Sequence, residues 1–162
     1  MKIFRRWIGL VIVVQLVAVA SAGTAGARGR PDPGLRAAVK SVPVLGSARF
    51  WPGHYDKGFG QAHPKTIFNG GDPSGLVTHI RWQHWGAKRA IGWGKTSIFK
   101  PHGGYYPQPV RAELRVSRLG RCTKHGPSAY RYLEAREPAK PGGKLGKWFS
   151  WSGAKTICRP AG

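Results

Sequence analysis

The sequence predicts an all-β fold: a small single-domain sandwich or barrel with one disulfide and a flexible N-terminal lead. From about Phe50 onward, aromatic and β-branched residues occur in short runs that Gly and Pro interrupt. This pattern is typical of short strands joined by turns. No segment shows the apolar spacing of an amphipathic helix. The chain also contains two cysteines, which is enough for one disulfide.

Residues 110–116 form the clearest predicted strand. Every second side chain is apolar, and charged side chains lie between them, which predicts one dry and one wet face. The apolar positions are Val110, Ala112, Leu114 and Val116. Other strands are predicted at residues 76–82, 91–99, 129–135, 148–151 and 156–158.

The predicted strand at 76–82 is amphipathic in a less regular way. Strict alternation places Val77, His79 and Arg81 on one face, with Ile80 and Trp82 on the other. Before it, the stretch Asp72-Pro73-Ser74-Gly75 has the composition of a turn, because Asp bonds to nearby backbone and Pro fixes φ. In the next strand, Gly92 and Gly94 lie two apart, so an indole ring is able to lie against bare backbone there.

The first 22 residues have the three parts of a secretory signal peptide. Positive charges come first, an apolar stretch covers residues 8–20, and small residues follow. The A-x-A rule predicts cleavage after Ala22, with a second candidate site after Ala27. The apolar stretch is shorter than the roughly 20 residues of a membrane-spanning helix. We therefore expect a secreted, monomeric protein with no stable membrane span after cleavage.

The mature chain is then divided into two parts. Residues 23–48 are rich in Gly, Ala, Pro and Arg and have little apolar surface to bury, which favours a flexible lead. Residues 49–162 form the predicted secreted β-domain, which is large enough for one core.

The charge of the chain is strongly positive, at +21. Loss of the three basic residues of the signal peptide (Lys2, Arg5 and Arg6) leaves +18. Such an excess attracts polyanions, and outside a cell these include wall polymers, glycans and extracellular nucleic acid. A genome rich in G and C also favours Arg, Gly, Ala and Pro, so composition is an alternative explanation.

The two cysteines, Cys122 and Cys158, are predicted to form a disulfide, because export places them in an oxidising compartment. The closed loop of about 37 residues corresponds to roughly 4 kcal/mol in the chain-entropy account. A reactive thiol or a pair of metal ligands fits less well, since no C-x-x-C motif is present.

The segment from Gly70 to Gly86 contains GGDPSG followed by W-x-x-W-G, and residues 90–94 read A-x-G-x-G. This pattern resembles a group of small secreted actinobacterial proteins that carry GGDP[ST]G, W-x-x-W-G and a C-terminal cysteine pair. The likeness covers roughly residues 59–158. It implies export and the cysteine pair, and it implies no activity and no catalytic residues. The present chain is far more basic than that pattern.

No catalytic, cofactor or metal motif is convincing. His79 and His84 point to opposite sides of an extended strand, and zinc needs three or four converging ligands. A ribonuclease-like site combining Glu113, His102 and Arg115 has no recognisable pattern in the sequence. We therefore expect no cofactor and no metal, and we favour a non-catalytic protein over an enzyme.

Basic and aromatic residues interleave in two places. One group comprises Arg81, Trp82, Trp85, Lys88, Arg89, Trp93 and Lys95; the other comprises Lys147, Trp148, Phe149, Trp151 and Lys155. Nucleic-acid binders combine cations with stacking aromatics, and carbohydrate binders stack sugars on tryptophan. The candidate stacking residues are Trp82, Trp85 and Trp93, although tryptophans of a small β-domain also fill its core.

Residues 111–162 hold twelve basic side chains and three acidic ones. The candidate polyanion contacts are Arg111, Arg115, Arg118, Arg121, Lys88 and Arg89. The favoured hypothesis is a binding or cell-surface-associated module that contacts polyanions. The alternatives are a small secreted hydrolase, with a ribonuclease as the first guess, and a cationic membrane-active protein.

Overall fold

A computed structural model describes residues 41–50 and 57–159. The predicted signal peptide and residues 23–40 of the predicted lead lie outside these residues. The described chain is almost entirely β, and its strands form one sheet that curls into a half-barrel. The all-β prediction is therefore confirmed.

Seven strands are present in the described part of the chain: β1 (Val44–Leu45), β2 (Ile67–Phe68), β3 (Leu76–Gln83), β4 (Ala90–Thr96), β5 (Val110–Arg121), β6 (Ser128–Arg136) and β7 (Phe149–Ser150). The order across the sheet is β1-β6-β5-β4-β3-β2, and β7 also pairs with β6. β1 runs parallel to β6, whereas the other pairs are antiparallel.

The four long strands begin within one residue of their predicted starts, but β4 ends at Thr96 instead of residue 99 and β5 continues to Arg121 instead of residue 116. The edges of the sheet also differ. Residues 156–158 form no strand; Ile157 is buried and donates one backbone hydrogen bond to the Arg131 carbonyl. Two residues of the predicted lead, Val44 and Leu45, form β1. Leu45 is fully buried in β1, because its backbone pairs with β6 at Tyr130. Two-residue strands such as β1 have too few residues to show a periodic pattern.

The core lies on one face of the sheet. Apolar side chains from β3 to β6 pack there against residues from the segments before β3 and after β7, among them Phe50, Phe59 and Ile157. The predicted dry face of β5 is confirmed, since Val110, Ala112, Leu114 and Val116 are all buried. We call the opposite face of β3–β6 the outer face.

A β-bulge in β3 changes the faces that strict alternation predicts. Between Thr78 and Arg81 the register with β4 shifts by one residue, and His79 has a φ of 55°. Val77 is consequently buried with Ile80 on the core face, so its predicted grouping with His79 and Arg81 is wrong. The extra residue lets both sides of the bulge keep their apolar residues inside.

Two local predictions hold. A 3-10 turn covers Pro73–Gly75, and the Asp72 carboxylate caps it by accepting from the Ser74 backbone N–H at 2.9 Å. The Trp82 indole lies on Gly92, where an added Cβ would be 2.8 Å from its Cε3 atom. Any larger residue at position 92 would therefore force this indole or the backbone to shift.

The predicted disulfide is present. Cys122 at the end of the β5–β6 hairpin is bonded to Cys158, with a Cα–Cα distance of 5.0 Å. The bond fastens the segment after β7 to the central hairpin. Within residues 41–50 and 57–159, no helix has the length and apolar character needed to cross a membrane.

Candidate functional site

The outer face of the sheet is polar, and strand pairing decides which of its side chains are neighbours. Trp93 lies opposite Arg81 on one side and Glu113 on the other. Lys95 lies opposite Arg111. Directly opposed residues share a face and have Cβ atoms about 4.5–5.5 Å apart. The outer face is therefore a lattice of charged and aromatic side chains in defined register.

One half of this lattice is neutralised. Arg115 makes two hydrogen bonds to Glu134, at 2.8 and 2.7 Å, and Arg136 contacts Glu113 at 2.6 Å. Both pairs are cross-strand neighbours between β5 and β6. We call this group, together with Trp148, the ion-paired patch.

Trp148 completes the ion-paired patch by stacking. The guanidinium carbons of Arg115 and Arg136 lie 4.2 and 4.7 Å from the centre of its ring. The hydrogen bonds to Glu134 raise the pKa of Arg115 above its already high value. The glutamates are largely covered, with Glu113 only 8% exposed. These contacts occupy the arginines with internal partners and hold them in place.

The other half of the outer face carries an open groove, and none of the described residues that line it is acidic. Its volume is about 430 Å³, and we call it the cationic groove. Its described lining consists of His79, Arg81, Trp93, Gly94, Lys95, Pro109 and Arg111. Three of these side chains are permanently charged at neutral pH, and all three are exposed.

Lys95 and Arg111 are two basic residues that form a cross-strand pair in the cationic groove. They stand directly opposite each other, and like charges in this position destabilise a sheet. The Arg111 guanidinium lies over the Trp93 ring, with its carbon 5.5 Å from the ring centre. This cation–π contact holds the positive charge of Arg111 at the edge of the groove. The β3 bulge at His79 borders the same groove, and bulges commonly re-aim side chains at binding sites.

A second groove adjoins the cationic groove and shares Trp93, Pro109 and Arg111 with it. Its volume is about 470 Å³, and its remaining lining comes from Gln108, Val110 and the loop containing Pro138, Pro141, Gly142, Gly143 and Leu145. Trp93 and Arg111 thus border both spaces. A ligand longer than one groove would pass over these two side chains.

The three candidate stacking tryptophans lie on different faces. Trp82 and Trp85 pack against the core, and their indole N–H groups donate to the Pro64 and Pro43 carbonyls at 2.9 and 2.8 Å. Their rings also contact each other edge-on at 4.8 Å. Only Trp93 of the three borders the grooves of the outer face.

The six candidate polyanion contacts are also separated. Arg111 lies in the cationic groove, whereas Arg115 is neutralised by Glu134. Arg118 lies over the Tyr132 ring at 4.4 Å and donates to the Lys155 carbonyl. Arg121 donates to the Lys124 carbonyl near the β5–β6 turn.

Lys88 and Arg89 are exposed in the turn between β3 and β4. They lie at the opposite end of β4 from Lys95, roughly 20 Å away at the rise of an extended strand. These two residues and Arg111 therefore do not converge on one ligand-sized space.

The residues weighed for ribonuclease chemistry have other partners. Glu113 is paired with Arg136, and Arg115 with Glu134. His102 is exposed in the β4–β5 loop. Among residues 41–50 and 57–159, no group of three or more His, Cys, Asp or Glu side chains has the geometry of a metal site.

The sequence candidates for polyanion contact omitted Arg81 and Lys95. Both were visible as basic residues close to tryptophans, but their role depends on register. Arg81 faces Trp93 only because of the bulge, and Lys95 lies opposite Arg111 only because β4 pairs with β5 at that position.

Comparisons with protein-family models, with curated proteins and with solved structures found no match.

Proposed function

We propose that this chain is an exported, disulfide-linked binding module that holds polyanions in the cationic groove and catalyses no reaction. The observation that carries the proposal is the contrast between neighbouring arginines on one sheet face. Arg115 and Arg136 have carboxylate partners, whereas Arg81, Lys95 and Arg111 line an open groove without one among the described residues.

Export is supported by the signal-like N-terminus and by the disulfide. An oxidising compartment both forms and preserves such a bond. The overall charge of +21 would bring polyanions close at long range, and the groove would then determine where they are held. Wall polymers, acidic glycans and nucleic acid all carry the required charge.

The test is binding of a fluorescent heparin fragment over a range of salt concentrations. Replacing Arg81, Lys95 and Arg111 together with Gln should weaken binding at least tenfold. The variant should also show a shallower dependence of affinity on salt, because fewer counterions are released. The matched control replaces the exposed Lys57, Lys65 and Lys124 with Gln, which removes the same charge elsewhere.

Equal weakening in the two triple variants would show that net charge alone holds the polyanion, and the proposed groove would then be wrong. Leakage of anionic vesicles at the concentrations that bind heparin would instead favour the membrane-active alternative. Circular dichroism of each variant checks that the sheet is retained.

A further inference from the structure

We infer that the ligand of the cationic groove is single-stranded nucleic acid, with an unpaired base stacked on Trp93 and phosphates held by Arg81, Lys95 and Arg111. This inference rests on the proposed function and narrows it to one class of polyanion. Its basis is the combination of an apolar lining with a rim of cations.

The lining of the cationic groove is mostly apolar in spite of its three cations. Trp93, Gly94 and Pro109 supply this surface between the charged residues. A ligand whose whole surface is charged and hydrated gains little from such a lining. A nucleotide gains from both parts, because its base is flat and apolar on its faces and its phosphate is ionic.

Trp93 is placed to accept a base. Unlike Trp82 and Trp85, whose N–H groups are bonded to backbone carbonyls, its indole has no hydrogen-bond partner among the described residues. It is partly exposed and borders both grooves. The Arg111 guanidinium lies over the ring, with its carbon 5.5 Å from the ring centre, and arginine makes the same kind of cation–π contact at stacking platforms that bind single strands.

Lys95 and Arg111 are placed to share a phosphate. Their opposed positions leave two like charges on adjacent strands, and an anion between them would remove the repulsion. Arg81 on β3 lies directly opposite Trp93 on β4. A further phosphate beside the stacked base would therefore lie close to Arg81. Arginine and lysine both bind phosphate oxygens through charge-assisted hydrogen bonds.

Stacking of a base on Trp93 requires the nucleic acid to be single-stranded. A base inside a duplex has both faces covered by its neighbours, whereas an unpaired base offers a face to Trp93. The two grooves, of about 430 and 470 Å³, each fall in the size range of small-ligand sites. Because the two grooves meet at Trp93, a strand of a few nucleotides would be able to occupy both of them.

The experiment measures the affinity of the disulfide-linked protein for three fluorescent probes at one salt concentration. The probes are a short oligothymidylate, an abasic strand with the same number of phosphates, and a heparin fragment of similar charge. We expect the oligothymidylate to bind about tenfold or more tightly than the abasic strand. Quenching of tryptophan fluorescence should accompany only the first.

Variants at Trp93 connect this preference to the groove. Trp93→Ala should reduce the preference for the oligothymidylate to less than about twofold, while Trp93→Phe should keep most of it because a ring remains. Phe99→Ala is the matched control, since Phe99 is an aromatic residue that is 53% exposed and lies outside the groove. Thermal unfolding separates loss of binding from loss of fold.

Equal affinity for the abasic strand and the oligothymidylate would overturn the nucleic-acid inference and leave polyanion binding intact. Tighter binding of heparin than of the oligothymidylate would likewise overturn it, in favour of an acidic glycan. Loss of heparin and abasic-strand binding in the Arg81, Lys95, Arg111 variant, together with loss of the base preference in Trp93→Ala, supports both proposals. If none of the probes responds to either set of variants, the proposed function fails as well.

Discussion

The ion-paired patch and the cationic groove lie on the same face of one sheet, and they differ in how their charges are satisfied. In the patch, Glu113 and Glu134 oppose arginines across the β5–β6 ladder. In the groove, Lys95 opposes Arg111, and the described lining contains no carboxylate. The carboxylates of the patch therefore hold its arginines in place, whereas the cations of the groove have no such partner among the described residues.

The two tryptophans of these regions show the same difference. Trp148 lies under two arginines that already have carboxylate partners. Trp93 has one arginine over its ring, for which no carboxylate partner is found among the described residues, and it borders two open grooves. Similar residue types are thus paired with carboxylates in one place and left facing an open groove in the other, and the opposing residue on the next strand makes the distinction.

The largest expected effect comes from breaking an ion pair in the patch. Glu134→Gln leaves the guanidinium of Arg115, whose side chain is only 23% exposed, without a charged partner. We expect the free energy of unfolding to fall by about 2 kcal/mol, as measured by urea denaturation. Glu137→Gln is the control, because it makes the same chemical change on a glutamate for which no ion pair is found among the described residues.

Glu134→Gln also tests the difference between the ion-paired patch and the cationic groove. Freed from Glu134, Arg115 should bind polyanions, so heparin affinity should rise while stability falls. Unchanged stability would mean that the negative charge of Glu134 contributes nothing to the fold, and the contrast between the regions would be lost.

A change in the groove should act in the opposite direction. Lys95→Glu places an acid opposite Arg111 and so reproduces the arrangement of the patch. Cross-strand pairing should raise the free energy of unfolding by about 1 kcal/mol. Heparin affinity should fall about tenfold or more, because the groove loses one cation and a second becomes paired.

Lys88→Glu provides the reference for this substitution. It makes the same charge change in an exposed turn at the other end of β4. Equal loss of affinity in the two variants would contradict a special role for the groove.

The smallest expected effect concerns Glu137, which follows directly after the patch. Burial raises the pKa of this carboxyl above its usual 4.5. Its charged form is therefore disfavoured in the folded state, and stability is lost as the pH rises through the folded pKa. Glu137→Gln should raise the free energy of unfolding at neutral pH, by at most about 0.5 kcal/mol.

The pH dependence is the decisive measurement for Glu137→Gln. The difference from the parent should shrink as the pH falls toward and below the usual pKa, because both side chains are then neutral. A constant difference at all pH values would exclude titration of Glu137 as its cause.

Much of the fold could be predicted because its signals are local. The alternation over residues 110–116 and the turn at Asp72 depend only on neighbours in the chain. The disulfide followed from cysteine number and the expected compartment. The short strand β1 could not be predicted, since its two residues are held by a parallel pairing with β6, far along the sequence.

The candidate site was predicted only in its chemistry. Arg111 and Trp93 were among the named residues, but Arg115 was grouped with Arg111 although Glu134 neutralises it. Trp82 and Trp85 were grouped with Trp93 although they pack on the core. The sequence could not separate these residues, because position along the chain does not show which residue stands opposite on the next strand.

The all-β class, the positive charge, the cysteine pair and the alternation of the long strands follow from composition and period, which need no partner in space. Which of the described cations have a carboxylate partner depends on how the strands pair. A bulge of one residue at His79 and the register between β4 and β5 place Arg81, Lys95 and Arg111 around Trp93. Since side chains alternate between the faces of a strand, one residue of register is enough to change that outcome.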